Sequence, residues 1–543
     1  MRTLCLALAM TAFWLSPPVL AAADLPPASL AIFDVIDQQI DHVMKANDIK
    51  PAAQADDRTI IRRLSLDLIG SIPTLPEVEA YAASTDPQKR GKLVDRLIAS
   101  PAYSRYQGAQ FDVMLGYAGS GRNRGTGALR DYLVGAIAEN RPWDRMFREM
   151  MLPNESEAKQ KGAIEFLKPR IADQDRLTND VSVNFFGVNV SCAQCHDHPL
   201  VKDWTQDHYF GMKSFLARTF EKNGVIGEQP SGVVKFKPNK GPEKTAKMMF
   251  LTGTIVEEGN QGSPIEKPKP GKNPPKEKPG DKVAPSAPSF SARAKLVDVA
   301  LQPENADLIA RSIVNRIWHR FLGYGLVAPL DQMHSENPAS HPELLEWLAR
   351  DMATHKYDLN RLVRGVVLSK TYSLSSKTDS ESPPGAQYFA VAQLKPLTPL
   401  QLATSLKLAT QDPATFHGLS PADLDKKIDA AEKSSRGLAN LVAQPTDDFQ
   451  IGVGEALVFS NSDILTREYL AEGKDSLLAK LKSEKDVKAG VELMVKSFLG
   501  RAPTPVESEA LAAFVTKRSA NPTEAYRQAM WALATCPEFR FNY

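Results

Sequence analysis

The residues best suited to chemistry in this sequence form one short run, Cys192-Ala193-Gln194-Cys195-His196. The chain has 4 Cys and 9 His among 543 residues. Random placement would produce this pattern in about 5 of 10,000 chains of the same composition. Two thiols at this spacing can reach both vinyl groups of one porphyrin, and the adjacent imidazole can then ligate the iron. The C-x-x-C-H pattern therefore predicts covalent haem c, with thioethers at Cys192 and Cys195 and His196 as the proximal iron ligand.

A haem iron takes a second axial ligand or keeps a guarded open position. The candidates close to the motif are His198, His208 and Met212. His198 follows His196 so closely that it would reach the opposite ring face with difficulty. His208 and Met212 are far enough along the chain to fold back. The second half of the chain offers three further candidates: His319, His334 and His341.

Two interpretations without a porphyrin stay open. Cys192, Cys195, His198 and His208 would make a Cys₂His₂ set suited to zinc, although the spacing of the two histidines is less typical. A disulfide between the two cysteines, or simply inert thiols, is the other alternative. The surrounding sequence lacks the strand and helix of a thioredoxin-like fold, which argues against dithiol catalysis. Cys536 stands alone and is expected to be a small buried side chain.

The N-terminus has the pattern of a secretory signal peptide. Arg2 supplies a positive charge, Leu4 to Leu15 is apolar but short for a membrane span, and Ala21 to Ala23 suit signal peptidase. We expect residues 1–23 to be removed, although a retained anchor is the alternative, and no later segment is long and apolar enough to cross a membrane. The mature protein is predicted to be periplasmic or secreted, which is where bacteria attach haem to C-x-x-C-H.

The composition excludes several function classes. The net charge is +2, and 24% of the residues are charged, so neither a nucleic acid nor a strongly acidic substrate is indicated. The sequence has no P-loop, dinucleotide fingerprint, nucleophile elbow or zinc-protease helix. Its carboxylates are too scattered to nominate a glycosidase pair, so no catalytic residues are assigned and an enzymatic activity is left undecided.

The fold is predicted to be mainly α, with two helical domains. Residues 24–256 form the first, which carries the C-x-x-C-H motif and a small β element near 233–256. Residues 257–291 are rich in Pro, Lys and Gly and are predicted to be a disordered linker. Residues 292–543 form the second domain. Apolar residues recur at helical spacing in both, for example at Ile32, Val35, Ile36 and Ile40.

One helix corner occurs twice in the sequence. Gly70 ends a helical pattern and Thr74 with Glu77 opens the next as a capping box. Gly500, Thr504 and Glu507 repeat the arrangement near the C-terminus. Two independent uses of a favourable corner explain this better than duplication of a domain, because the flanking residues match poorly.

Several stretches are similar to a planctomycete-type secreted cytochrome-like family, domain of unknown function 1549, followed by its usual companion, domain of unknown function 1553. The first half matches at Arg62 to Gly70, Pro73-Thr74, Lys92 to Leu97, Cys192 to Pro199 and Trp204 to Asp207. The second half matches at Val314 to Trp318, Phe321 to Val327, Asn337-Pro338, Ser340 to Leu345, Leu368 to Tyr372, Trp531 to Leu533 and Glu538-Phe539. The resemblance implies a secreted, cytochrome-like protein and supplies no reaction.

The sequence supports two functional hypotheses. In the first, the protein is an exported cytochrome-like protein with a single haem, which serves in electron transfer or in redox support of a periplasmic or extracellular protein partner. In the second, it is a periplasmic binding or scaffold protein whose Cys–His cluster is a structural metal site, with zinc as the ion, or a disulfide.

Overall fold

The structure is a computed structural model of the chain. It describes residues 25–116, 127–197, 201–222, 224–239, 241–257, 259, 262–265, 290–378, 380–445, 458–459 and 463–543. The predicted signal peptide, residues 1–23, and most of the predicted linker 257–291 lie outside these ranges.

Helices dominate the described residues, which confirms the predicted fold class. The first half contains α1 Ile32–Ala46, α2 Asp57–Ile69, α3 Leu75–Ala83, α4 Lys89–Ile98, α5 Pro101–Leu115, α6 Ala128–Ala138, α7 Trp143–Met151, α8 Gln174–Phe186 and α9 Gln206–Leu216. The second half contains α10 Ala292–Ala300, α11 Ala306–Leu322, α12 Pro342–Thr354, α13 Leu359–Leu368, α14 Pro399–Ala409, α15 Pro421–Ala439, α16 Leu477–Ser483, α17 Val487–Leu499, α18 Pro505–Lys517, α19 Pro522–Thr535 and α20 Pro537–Arg540. Short 3₁₀ turns occur at Ala158–Gln160, Ala163–Phe166, Ser191–Gln194, Ala386–Tyr388 and Pro413–Phe416, and a π turn at Leu465–Tyr469.

The strands are short and pair in twos. Each pair is antiparallel: β1 Thr219–Lys222 with β2 Val225–Glu228, β3 Lys235–Phe236 with β4 Lys244–Thr245, β5 Met248–Met249 with β6 Ile255–Val256, and β7 Lys395–Pro396 with β8 Phe541–Asn542. The β element predicted near 233–256 is therefore confirmed as two small ladders, and the β1–β2 hairpin precedes it.

Both predicted helix corners are present. Gly70 follows α2 with φ 76°, and Gly500 follows α17 with φ 69°, a left-handed conformation that glycine adopts without strain. Thr74 and Thr504 then begin α3 and α18 with complete capping boxes. The two corners also lie near each other, since the Arg58 guanidinium donates a 3.0 Å hydrogen bond to the Gly500 carbonyl.

The hydrophobic core consists chiefly of two clusters, and each takes residues from both sides of the predicted linker. The larger runs from Ile32 to Ala390, so α10 to α13 pack with the helices of the first half. The second joins Leu66 and Ile72 of the first half to residues between Leu397 and Phe539. The predicted domain boundaries stay a prediction, but the two halves share their cores.

Asp67 on α2 illustrates how closely the halves are joined. Arg62 and Arg63 lie on the same helix, but the Asp67 carboxylate forms its ion pair with Lys395, at 2.7 Å. The Tyr372 hydroxyl and the Asn542 amide also donate to it, each at 2.8 Å. Arg62 and Arg63 instead donate to backbone carbonyls of residues in the second half.

Among the described residues, no helix is both long and apolar enough to cross a bilayer.

Candidate functional site

The Cys192–His196 run begins on a 3₁₀ turn in the segment between α8 and α9. The turn spans Ser191–Gln194 and exposes both cysteines, while Ala193 between them is fully buried. Neither thiol forms a disulfide in this structure. His196 is also exposed. The buried alanine thus anchors the turn in the core and leaves two thiols and one imidazole at the surface.

The hydrogen bond of His196 fixes its tautomer. Its Nδ1 lies 2.8 Å from the backbone oxygen of Asp197. A carbonyl oxygen only accepts hydrogen bonds, so Nδ1 carries the proton and donates it. The lone pair of the neutral ring is therefore on Nε2. A backbone carbonyl commonly sets the tautomer of a metal-ligating histidine in this way.

Helix α9 supports the turn from the C-terminal side. The Asp197 carboxylate accepts a 2.8 Å hydrogen bond from the backbone N–H of Gln206, at the beginning of α9. The Gln206 side chain donates to the carbonyl of Gln194 at 3.3 Å. These contacts hold the second half of the motif against the start of α9, although its thiols and imidazole are exposed.

A segment of the second half pairs with the chain just before the motif. We call residues 331–335 the strap. The backbone N–H of Asn189 donates to the Asp331 carbonyl at 2.8 Å, and the Asn189 amide donates to the Asp331 carboxylate at 3.1 Å. Val188 forms a β-bridge with Gln332. The strap therefore holds the strand-like residues that lead into the cysteines.

The strap is held again just after the motif. The backbone N–H and the hydroxyl of Ser335 donate to the two carboxylate oxygens of Asp203, each at 2.8 Å. Gly187 permits the close approach at the other end, since an added Cβ would lie 3.0 Å from the Met333 sulfur. The two anchors, at Asn189 and Asp203, bracket the motif in the sequence.

The predicted second ligands differ in their surroundings. Met212 is fully buried in the larger core cluster, so its sulfur would reach a surface iron only if the core opened. The Nδ1 of His208 lies 2.9 Å from the Thr205 hydroxyl as part of the cap of α9, and the ring packs edge-on to Trp204. Burial lowers the pKa of His208. His198 lies outside the described residues.

No three His, Cys, Asp or Glu side chains of the described ranges lie together in a way that could hold a metal ion. The predicted zinc set includes His198, which falls outside those ranges, so this set stays a prediction. Cys536, which was expected to be buried, is half-buried at the end of α19, where burial raises the pKa of its thiol.

Two larger cavities lie away from the motif. Their volumes are about 600 and 620 Å³, in the range of small-molecule sites, and both are lined by Asp358, Arg361 and Arg364 around the start of α13. The two guanidinium groups are already held by the carboxylates of Asp351 and Asp95. Neither cavity is lined by a motif residue, so the Cys192–His196 site is a surface turn.

Sequence reasoning missed the roles of Asn189, Asp197, Asp203 and the strap. The sequence gives a weak indication of the local hydrogen bonds within 189–197, because Asn followed two positions later by Ser favours a turn closed by the Asn side chain. The Asn189–Asp331 pair joins residues 142 positions apart, and no pattern in one sequence reveals it.

Two family models match the chain, in the order that the resemblance predicted. PSCyt2, a protein of unknown function (DUF1549), matches residues 35–221, which include the motif. PSD1, a protein of unknown function (DUF1553), matches residues 292–448, which include the strap. Neither a curated protein nor a solved structure matches the chain.

Proposed function

Because this chain belongs to the family in which a DUF1549 region is followed by a DUF1553 region, we propose that it is an exported protein with one covalently bound haem and serves in electron transfer. Cys192 and Cys195 would form the thioethers, and His196 would bind the iron through Nε2. The first model's name, PSCyt2, agrees with a cytochrome-like region.

The observation that carries the proposal is the tautomer of His196. The Asp197 carbonyl accepts a hydrogen bond from Nδ1–H, so Nε2 of this exposed residue keeps the lone pair that a proximal ligand would use. The imidazole thus needs no rearrangement of its hydrogen bond to act as a ligand.

The donor set also fits covalent attachment. Both thiols are exposed and unpaired, so each can add across a vinyl group, with its hydrogen passing to the neighbouring vinyl carbon and no atom lost. The buried Ala193 and the cap at Asp197 hold the turn while both bonds form. The bound haem would supply one-electron chemistry.

The surface position suits exchange of electrons with a protein partner. Cys192, Cys195 and His196 are exposed, so a group held by them would be accessible from solvent. The signal pattern of residues 1–23 supports an exchange in the periplasm or outside the cell. The partner would therefore be a periplasmic or extracellular redox protein.

The test is to express the full chain with its signal in a bacterium whose haem-attachment machinery is active. The mature wild type and the Cys536→Ala control should each gain the mass of one haem and give one haem per chain by pyridine haemochrome. The double variant Cys192→Ala/Cys195→Ala should gain none. A colourless wild type of unmodified mass would refute the proposal.

The same preparation distinguishes the second hypothesis. Thiolates on a C-x-x-C turn also suit zinc, so elemental analysis belongs in the experiment. One zinc per chain without visible absorption would support a binding or scaffold protein with a structural metal site. A Cys192–Cys195 disulfide, seen as the loss of two hydrogens by mass, would support the same class without a metal.

A further inference from the structure

We propose that Lys395 and Asn542 join their side chains in an intramolecular isopeptide bond, with release of ammonia, and that the Asp67 carboxylate promotes the reaction. This covalent modification goes beyond the proposed function, since it involves neither a haem nor the Cys192–His196 run. Asp67 lies in the first matched region, Lys395 lies in the second, and Asn542 lies outside both.

Strands β7 and β8 place Lys395 and Asn542 directly opposite each other. The two residues are partners in the antiparallel ladder, although they are far apart in the sequence. Directly opposite residues of such a ladder carry their side chains on the same face, with Cβ atoms about 4.5–5.5 Å apart. The backbone therefore sets the amine of one side chain next to the amide of the other.

One oxygen atom of Asp67 binds both side chains. Its Oδ1 accepts a hydrogen bond from Nζ of Lys395 at 2.7 Å and another from Nδ2 of Asn542 at 2.8 Å. The two nitrogen atoms cannot be farther apart than the sum of these distances, and Nδ2 is bonded to the amide carbon, Cγ. The carboxylate thus holds the nucleophile close to the carbon that it would attack, so no bimolecular encounter is needed.

The surroundings favour an uncharged amine over an ammonium ion. Asp67 and Asn542 are buried, and Phe321 and Phe389 line the adjoining cavity. Desolvation lowers the pKa of Lys395, and the charge of Asp67 opposes this shift. A lysine amine in a poorly hydrated site is more readily deprotonated and is therefore a better nucleophile.

The carbonyl oxygen of the Asn542 amide lies beside an unused hydrogen-bond donor. Its Oδ1 is buried and has no hydrogen-bond partner among the described residues, and the same is true of Nη2 of Arg63. The Nε of Arg63 donates at 2.9 Å to the carbonyl of Tyr543, the next residue along the chain. Both side chains line one small cavity with Lys395 and Tyr372. A guanidinium N–H in this cavity would stabilise the negative charge that develops on Oδ1 during the attack.

The reaction needs no oxidant, reductant or cofactor. Nζ of Lys395 forms a bond to Cγ of Asn542, and the Cγ–Nδ2 bond breaks. Two protons pass from Nζ to Nδ2 by way of the Asp67 carboxylate, so an ammonium ion leaves and a neutral amide remains. The cavity of about 20 Å³ has room for a leaving group the size of one water molecule. The ion pair between Asp67 and Lys395 belongs to the chain before this bond forms.

The bond would fasten the second core cluster. It closes a loop from residue 395 to residue 542, and most residues of that cluster lie within this loop. As a disulfide does, a link across a long loop stabilises the fold mainly by restricting the unfolded chain. Unlike a disulfide, an amide is not broken by reducing agents.

The test is peptide mass spectrometry of the purified full chain after denaturation and tryptic digestion. In the wild type, the peptide of residues 378–407 should carry residues 541–543 on Lys395, with the loss of one ammonia. The control Asp423→Asn, which changes an exposed carboxylate, should give the same linked peptide. Lys395→Arg should give only unlinked peptides, and so should Asp67→Asn, because its amide cannot take up the proton.

Lys395→Arg keeps a positive charge beside the carboxylate and guards against a folding defect in Asp67→Asn, and circular dichroism checks the folding of both. Unlinked peptides in the wild type would overturn the proposal. Loss of water in place of ammonia would also overturn it, because lysine releases water when it condenses with a carboxylate. A folded Asp67→Asn that still carries the bond would overturn the part assigned to Asp67. The peptide masses do not depend on haem, so none of these results bears on the proposed function.

Discussion

We predict that replacing His341 by Gln makes the protein less sensitive to mild acid. His341 lies immediately before α12 and has an exposed fraction of 1%. Its ring centroid is 5.4 Å from that of Phe389. Burial lowers the pKa of His341 from the ordinary 6.5 to about 4, because an imidazolium ion would lose its hydration at this position.

The direction of this pH effect follows from the pH at which the unfolded and the folded chain each bind a proton at His341. Below about pH 6.5 the unfolded chain takes up a proton at His341, whereas the folded chain does so only near pH 4. The free energy of unfolding is therefore undiminished above about pH 6.5 and falls as the pH drops toward 4. The full loss is at most about 3 kcal/mol, and about 2 kcal/mol is reached at pH 5.

The assay is urea unfolding at pH 7 and at pH 5, with fluorescence and circular dichroism required to give the same transition. Other titrating groups contribute to all the proteins, so the quantity of interest is a difference. The wild type and the exposed control His417→Gln should lose about 2 kcal/mol more between the two pH values than His341→Gln does. Equal losses in His341→Gln and the wild type would refute the reasoning.

Two further predictions concern the apoprotein and are measured by urea unfolding at pH 7. In chains without the isopeptide bond, Asp67→Asn should cost about 3 kcal/mol, because it removes the counter-ion of the half-buried Lys395 ammonium. The exposed pair of Asp423 makes the control, where Asp423→Asn should cost less than about 1 kcal/mol. Gly187→Ala should lower the free energy of unfolding more than Gly224→Ala does. Both glycines have positive φ, but of the two only Gly187 has a neighbour, Met333, that a new Cβ would crowd. Equal losses would contradict the close contact between Gly187 and the strap.

The helix corners could be predicted from the sequence because every group involved is local. Gly70 and Gly500 take the left-handed conformation, and Thr74 and Thr504 bond to the glutamates three residues later. Such a corner favours glycine at the end of one helix and threonine three positions before glutamate at the start of the next. The amphipathic face of α1 was predictable for the same reason, and its apolar residues are buried.

Contacts between distant parts of the chain could not be predicted in this way. Asp67 has two arginines nearby on its own helix, so helical spacing favoured a local ion pair. The observed partner, Lys395, is 328 positions away. Packing of the two halves buried Arg63 against carbonyl groups and brought the lysine to the carboxylate, an outcome that depends on the tertiary structure and not on residue spacing.

The candidate site shows the same division between local and distant information. The chemistry of Cys192, Cys195 and His196 can be inferred from five consecutive residues. The tautomer of His196 required the Asp197 carbonyl, and the position of the loop required the strap, which belongs to the other matched region. Because the larger core cluster also spans both regions, the motif cannot shift without disturbing packing in each of them. The second matched region thus completes the surroundings of the motif in the first.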